Sequence, residues 1–265
     1  MLKAALHCHS TYSDGEFTLP ELREKFMKNG YQLVCMTDHA EWFEPDQLRA
    51  YVDECESLSD ENFRFIAGLE FECERRMHIL GYGVAALVDS TKPEEVIRHI
   101  EDHGGVSVIA HPGDSMFDWI ETFETLPFGI EVWNSKYDGP LAPRPRTFRL
   151  LYRLQQRKPE MKAFYGQDLH WRKQYFGLAN TIRISTANRT SVLKALRAGD
   201  YNGLSEQVEL PASGELPGAL LAEYGRINDR YMQKQKVFQR VKKISGGFGK
   251  KLPAPIKARI RKIFQ

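Results

Sequence analysis

Histidine and carboxylate side chains recur at the ends of short apolar runs along this 265-residue chain. They fall in seven segments: His7-Cys8-His9, Ser13-Asp14-Gly15, Thr37-Asp38-His39, Gly68-Leu69-Glu70, Met77-His78-Ile79, Ala110-His111-Pro112 and Gln167-Asp168-Leu169-His170. Neutral imidazole and carboxylate are ligands that zinc, manganese and iron use in proteins. If the strand ends converge on one face, these residues form one metal-binding pocket. That arrangement is typical of a metal-dependent hydrolase.

The paired spacing of these residues strengthens the prediction. His7 and His9 are two apart on a predicted strand, so alternation along the strand points both side chains to one side. The same geometry pairs Asp168 with His170. The alternative, that these are satisfied polar groups in a core, requires many buried imidazoles with unrelated partners. That is costly unless each group is paired or binds a metal.

Short apolar strands alternate with amphipathic helices and predict βα units with a parallel sheet. Predicted strands are Ala4–Cys8, Leu33–Thr37, Arg64–Glu70, His78–Tyr82, Val106–Ala110, Gly129–Trp133, Ala163–Gly166 and Thr181–Ser185. Predicted helices are Leu19–Lys28, Pro45–Leu58, Pro93–Asp102, Arg146–Gln156 and Thr190–Ala198. Because almost every strand ends in a candidate ligand, a barrel that gathers all strand ends into one ring is favoured over an open sheet. The expected fold is an α/β, irregular TIM-like barrel of about seven strands, with the metal site at the carboxyl ends of the strands.

The motifs resemble those of the PHP family, named for polymerase and histidinol phosphatase. The resemblance rests on His7-x-His9-Ser10-x-x-Ser13-Asp14-Gly15, Thr37-Asp38-His39, Gly68-Leu69-Glu70, Ala110-His111-Pro112 and Asp168-x-His170, in that order over about residues 1–200. It implies a (β/α)7-type barrel, up to three divalent metal ions and phosphoester hydrolysis.

The resemblance also implies a distribution of ligands over the ions. One ion would be held by His7, His9, Glu70 and Asp168. Glu70 would bridge to a second ion completed by His78 and His111, and a third ion would take Asp14, His39 and His170. His103 is the alternative to His78 for the second ion, although His103 is expected on the solvated face of a helix. The residues expected in catalysis are Asp38, Glu70 and His111, where Asp38 either orients a ligand or the nucleophile, or caps the strand end.

The chemistry follows from the ligand set. Two zinc, manganese or iron ions about 3.5–4 Å apart can share a hydroxide and activate it at neutral pH. The leading prediction is a phosphoesterase that hydrolyses a phosphomonoester or phosphodiester of a small molecule or nucleotide. A nuclease, a phosphoprotein phosphatase and an amide or lactone hydrolase remain as alternatives. Trp42, Trp133 and Trp171 follow strand ends and are expected to stack on a base or sugar or to pack at the rim.

Composition divides the chain into an acidic body and a basic tail. Residues 226–265 carry 13 Lys or Arg and one acid, whereas the preceding part carries 24 basic and 34 acidic residues. We expect a barrel domain over 1–204 and a loop-rich linker with a basic amphipathic helix over 205–265. The tail would bind an anionic membrane surface or nucleic acid, or dock on the chain's own body. No apolar stretch approaches the ~20 residues of a membrane span, and the expected location is the cytoplasm or the periphery of the membrane.

Overall fold

The strands and helices follow the predicted order closely. A computed structural model describes residues 1–174, 177–205 and 208–248, and only the backbone of 238–248. The strands are β1 (Leu2–Cys8), β2 (Leu33–Met36), β3 (Asp38–His39), β4 (Arg64–Ile66), β5 (Leu69–Cys73), β6 (Met77–Tyr82), β7 (Val106–Ala110), β8 (Gly129–Asn134), β9 (Lys162–Gly166), β10 (Ala179–Ile182), β11 (Tyr201–Leu204) and β12 (Glu209–Pro211). The helices are α1 (Leu19–Lys28), α2 (Pro45–Ser57), α3 (Pro93–Asp102), α4 (Phe117–Ile120), α5 (Ser135–Asp138), α6 (Pro145–Gln155), α7 (Arg189–Ala198) and α8 (Gly218–Phe248).

The strands form two six-stranded sheets and not the one closed barrel expected. The first has the order β12-β11-β10-β1-β2-β4, and the second β3-β5-β6-β7-β8-β9. Backbone hydrogen bonds link the end of β1 to the segment after β9, for example from the amide of Gln167 to the carbonyl of Leu6 at 2.9 Å. The α/β class is confirmed, and the sheets meet where the predicted ligands lie.

The sheets are mixed, whereas the sequence pattern predicted parallel strands. β5 and β6 pair in antiparallel fashion because only three residues connect them, too few for a crossover. The predicted strand Arg64–Glu70 is divided into β4 and β5, which belong to different sheets. Gly68 permits this break, since a Cβ there would lie 2.6 Å from the carbonyl oxygen of Gly81.

The chain beyond residue 204 is partly integrated into the body. β12 pairs with β11, so the expected domain boundary lies between two paired strands. The first half of α8 packs inward through Leu221, Tyr224 and Asn228, which are buried. Most of the predicted amphipathic tail lies outside the described residues. This part comprises residues 249–265 and the side chains of 238–248. No helix in the described ranges is both long and apolar enough for a membrane span.

Candidate metal centre

All nine predicted metal ligands lie in one cluster. Their ligand atoms form four overlapping groups within the described chain, each with every atom within 4.8 Å of the others. The groups are His9, Asp14, His39 and His170; His7, His9 and Asp168; His7, Glu70 and His111; and His39, Glu70 and His78. Several residues belong to two groups, which is the pattern expected of adjacent ions that share ligands.

The separations between ligand atoms suit metal coordination. Ligands about 2.1 Å from a tetrahedral ion lie about 3.4 Å apart. His9 Nε2 is 3.1 Å from Glu70 Oε2, and His170 Nε2 is 3.2 Å from Asp14 Oδ1. Nε2 of His111 lies 3.7 Å from Oδ2 of Asp168. An ion can therefore fit between these atoms without large rearrangement.

Unsatisfied ring nitrogens give independent evidence for a cation. Both ring nitrogens of His9 and Nδ1 of His39 are buried and make no hydrogen bond to another described residue. The contact of His9 Nε2 with Glu70 lacks hydrogen-bond geometry, although the two atoms are close. Buried polar atoms without partners are rare because they cost free energy. Coordination of a metal would remove that cost.

The electrostatics of the cluster also favour cations. Burial lowers the pKa of His9 to about 3, so the ring is neutral and one of its nitrogens has a lone pair free to bind a metal. Burial alone would raise the pKa of Asp168, but nearby cationic groups, His7 foremost, hold it well below its usual range. Burial lowers the pKa of His170, yet hydrogen bonds to Asp14 and Asp168 outweigh it and raise the value to about 9. The carboxylates thus stay charged, and in the absence of metal a proton takes the place of a cation.

Asp38 lies beside the cluster and supports its loop. Its carboxylate accepts hydrogen bonds from the backbone amide and hydroxyl of Ser10, at 2.8 and 2.9 Å, and from the hydroxyl of Ser13 at 2.7 Å. The groups of ligand atoms in the described chain do not include it. These bonds fix the loop that carries Asp14. The geometry of Asp38 therefore favours the expected role of orienting a ligand over direct contact with a reacting atom.

Of the two candidates for the second ion, His78 lies in the cluster. Its Nδ1 is 2.9 Å from Oε1 of Glu70. His103 is exposed at the end of α3 and makes a hydrogen bond through Nδ1 to the carbonyl of His99. His78 stands near the start of β6 and not at a strand's carboxyl end. It reaches the site because β6 runs antiparallel to its neighbours, with His78 opposite Ala110.

Sequence reasoning missed Glu131, a buried acid that forms hydrogen bonds with two of the predicted ligands, His7 and His111. Glu131, on β8, is 2.8 Å from Nδ1 of His7 and accepts hydrogen bonds from the amide of His111 and the side chain of Asn134, both at 3.0 Å. A Cβ at Gly166 would lie 1.7 Å from its Oε1, so only glycine fits there. The signal was available, because an acid within an apolar strand is rarely buried unless paired. Since its partner is a carboxylate, Nδ1 of His7 donates and leaves Nε2 free for a metal.

Lys136 places a cation directly beside two of the predicted ligands. The ammonium group of Lys136 is 3.1 Å from Oδ1 of Asp168 and 3.2 Å from Nε2 of His170. It lies 5.4 Å from the ring centres of both Tyr137 and Trp171, which are about half exposed. Trp133, expected as a possible stacking residue, is instead fully buried.

The chain is similar to a known domain family over most of its length. A family model described as the PHP domain matches residues 5–249. The DNA polymerase/3'-5' exonuclease PolX of Bacillus subtilis is 35% identical over 79 residues, which cover 27% of this chain and 14% of that protein.

Solved structures share the fold at low identity. A two-domain protein from Bacteroides vulgatus, described as containing a predicted PHP-like metal-dependent phosphoesterase, aligns with a TM-score of 0.53 and 17% identity, over 78% of this chain and 66% of that one. An amidohydrolase from Chromobacterium violaceum with bound sulfate aligns with a TM-score of 0.50 and 16% identity, over 76% and 97% of the two chains. The chain thus spans about two thirds of the Bacteroides protein and a small part of the polymerase.

Proposed function

Because this chain belongs to the PHP domain family, we propose that it is a metal-dependent phosphoesterase with a TIM-like arrangement of strands around its site. The observation that carries the proposal is the convergence of nine imidazole and carboxylate ligands, among them buried ring nitrogens without partners. We assign His7, His9, Glu70 and Asp168 to one ion, Glu70, His78 and His111 to a second, and Asp14, His39 and His170 to a third. Zinc, manganese and iron all suit this donor set.

The proposed chemistry divides between the ions and the side chains. Two divalent ions held by these ligands would lower the pKa of a bound water toward neutrality and offset charge on the phosphoryl oxygens. Glu131 holds the tautomer of His7 in which Nε2 faces the cluster. Burial lowers the pKa of Lys136, but Asp168 outweighs it and raises the pKa, so the ammonium stays charged. Lys136 would donate to a phosphoryl oxygen at the open side of the cluster.

The substrate is proposed to be a phosphomonoester or phosphodiester. PolX of B. subtilis is named as a 3'-5' exonuclease, which favours a nuclease among the alternatives. The Chromobacterium protein is named an amidohydrolase, and the same activated water attacks carbonyl carbon, so amide or lactone hydrolysis is the second candidate. A phosphoprotein substrate rests on no feature of the described residues.

The test combines metal content with substrate class. Protein loaded with zinc, manganese or iron is assayed on p-nitrophenyl phosphate, bis-p-nitrophenyl phosphate and p-nitroacetanilide, and bound metal is measured by elemental analysis. His7→Ala or Asp168→Ala should lose metal and lower phosphoester hydrolysis by more than the ~10–100-fold cost of losing an outer contact. His103→Ala removes an exposed imidazole outside the cluster and serves as the matched control. Full metal content and turnover in either ligand variant would refute the assignment, and turnover of the anilide alone would favour the second candidate.

A further inference from the structure

A cationic groove lies between α6 and α8. It has a volume of about 670 Å³. Five basic side chains line it, and two carboxylates, Asp114 and Asp229, stand among them. The basic residues are Arg144, Arg146, Arg149, Arg226 and Lys236. The lining therefore carries a net positive charge, although the body of the chain is acidic.

Only part of this charge is neutralised by the protein itself. Asp114 pairs with Arg146 and lies 4.0 Å from Arg144, which also pairs with the buried Asp138. The remaining three cations form no ion pair or hydrogen bond with other residues in the described ranges; they are Arg149, Arg226 and Lys236. Cations gathered in one concavity repel one another and raise the local concentration of anions. Such a site is suited to more than one negative charge.

The shape of the groove selects among polyanions. Its α8 wall runs from Leu221 to Lys236, which at 1.5 Å per residue is about 22 Å. That length accommodates several phosphates in a row, whereas a flat bilayer surface cannot reach the floor of a concave groove. Four of the five cations are arginines, whose planar guanidinium groups match phosphate oxygens in pairs. We propose that this groove binds the phosphodiester backbone of a single-stranded nucleic acid.

Neighbouring residues link the groove to the metal centre. Asp114, in its wall, follows the ligand His111 by three residues, and Arg144 is bound to Asp138 at the end of α5. The same helix carries Tyr137, whose ring centre is 4.6 Å from that of His111. The aromatic side chains most exposed to solvent in the described ranges are Trp42, Tyr137 and Trp171, each close in sequence or space to a proposed ligand.

Aromatic rings beside a cationic track are the usual means of holding a single strand, at about 1–3 kcal/mol per stacked base. A strand that extends from the groove past Tyr137 would reach the proposed metal ligand His111. In this respect the inference rests on the proposed function and names its substrate class. Binding in the groove itself does not require catalysis.

The experiment measures binding of a fluorescein-labelled 15-mer of deoxythymidine to the full chain by anisotropy, in EDTA so that no cleavage occurs. The groove variant combines Arg149→Gln, Arg226→Gln and Lys236→Gln. The control variant removes the same charge from exposed sites outside the groove, by Lys28→Gln, Arg49→Gln and Lys194→Gln. Circular dichroism melting checks that both variants fold. A duplex of the same length and vesicles containing phosphatidylserine are measured in parallel.

Three phosphate contacts predict a fall of about 2 in the slope of log affinity against log salt. Between 50 and 200 mM NaCl, the parent should therefore lose about 20-fold more affinity for the strand than the groove variant does. The control variant should keep the parent's slope. The proposal is overturned if both variants change equally, if the parent does not bind the strand, or if only duplex or vesicle binding depends on the groove. Groove-dependent binding in a protein without metal or hydrolysis would refute the proposed function and leave this inference standing.

Discussion

Replacing Glu131 by glutamine tests whether this buried acid orients the proposed metal ligands His7 and His111. The two side chains have nearly the same shape, so the change removes the charge and one acceptor without opening a cavity. In the parent, Oε1 faces Nδ1 of His7, while Oε2 accepts from the amide of His111 and the side chain of Asn134. The two carboxylate oxygens therefore accept hydrogen bonds from different partners.

Neither orientation of the glutamine amide can accept hydrogen bonds on both sides. If its NH2 group faces His7, Nδ1 must accept, the proton moves to Nε2, and the nitrogen that faces Glu70 and Asp168 can no longer bind metal. If the NH2 group faces the other way, it meets two donors, the amide of His111 and the side chain of Asn134. One buried hydrogen-bonding arrangement is lost in either case.

The expected cost is that of losing an outer contact to a metal ligand, about 10–100-fold in metal affinity. This corresponds to about 1.4–2.7 kcal/mol. Dissociation constants for zinc and manganese are measured by competition with a chelating dye. Turnover of p-nitrophenyl phosphate at saturating metal then separates weaker binding from slower chemistry.

Glu101→Gln is the matched control, because this acid accepts a hydrogen bond from Ser107 but does not contact the cluster. It should leave metal affinity unchanged. If Glu131→Gln binds both metals within twofold of the parent, Glu131 neither sets the tautomer of His7 nor supports metal binding.

Two further predictions concern protons and the helix behind the site. The pKa of His170 is raised to about 9 in the metal-free protein, so a proton competes with the metal below that pH. Metal affinity should therefore rise between pH 7 and 9, and metal binding should release protons. Calorimetry in buffers of different ionisation enthalpy measures that release, and its absence would contradict the assignment of His170 as a ligand. Asn228 donates to the carbonyls of Asp138 and Ala142 at 2.8 and 3.3 Å, so Asn228→Ala should lower the free energy of unfolding by about 1–3 kcal/mol and slow turnover. Urea unfolding compared with exposed Gln233→Ala tests this, and equal stability would exclude a role for α8 in holding that loop.

The contact through Asn228 bears on the tail predicted from charge. The sequence shows where the basic residues begin, at Arg226, but not that α8 is already docked there. Asn228 is buried against the loop after α5, and Tyr231 lies so close to Gly139 that a Cβ there would be 2.1 Å from its ring. A deletion from residue 226 would therefore disturb the loop next to Lys136. A truncation that spares these contacts must begin after Tyr231.

Residue types and chain order were enough to predict which imidazoles and carboxylates the structure brings together, because such residues at strand ends leave a pattern in the sequence. The direction of the strands was not predictable in the same way. His78 reaches Glu70 only because the short Glu74–Arg76 connection turns β6 back along β5. Glu131 was missed, since its importance depends on which strands become neighbours.

The strand alternation used for His7 and His9 also gives only part of the reason why they meet. The pairing of β1 with β2 shifts by one residue between Leu6 and Cys8, and His7 itself has a φ of 61°. His111 and Asp168 likewise have positive φ values, 26° and 50°. Left-handed backbone at a non-glycine residue costs about 1–3 kcal/mol and persists only where surrounding contacts hold it. Here Glu131 holds both His7 and His111, and Asn134 and Lys136 hold the carboxylate of Asp168. Strain gathered at three proposed ligands, and fixed by buried polar contacts, is what selection for a metal site would maintain and what selection for stability alone would remove.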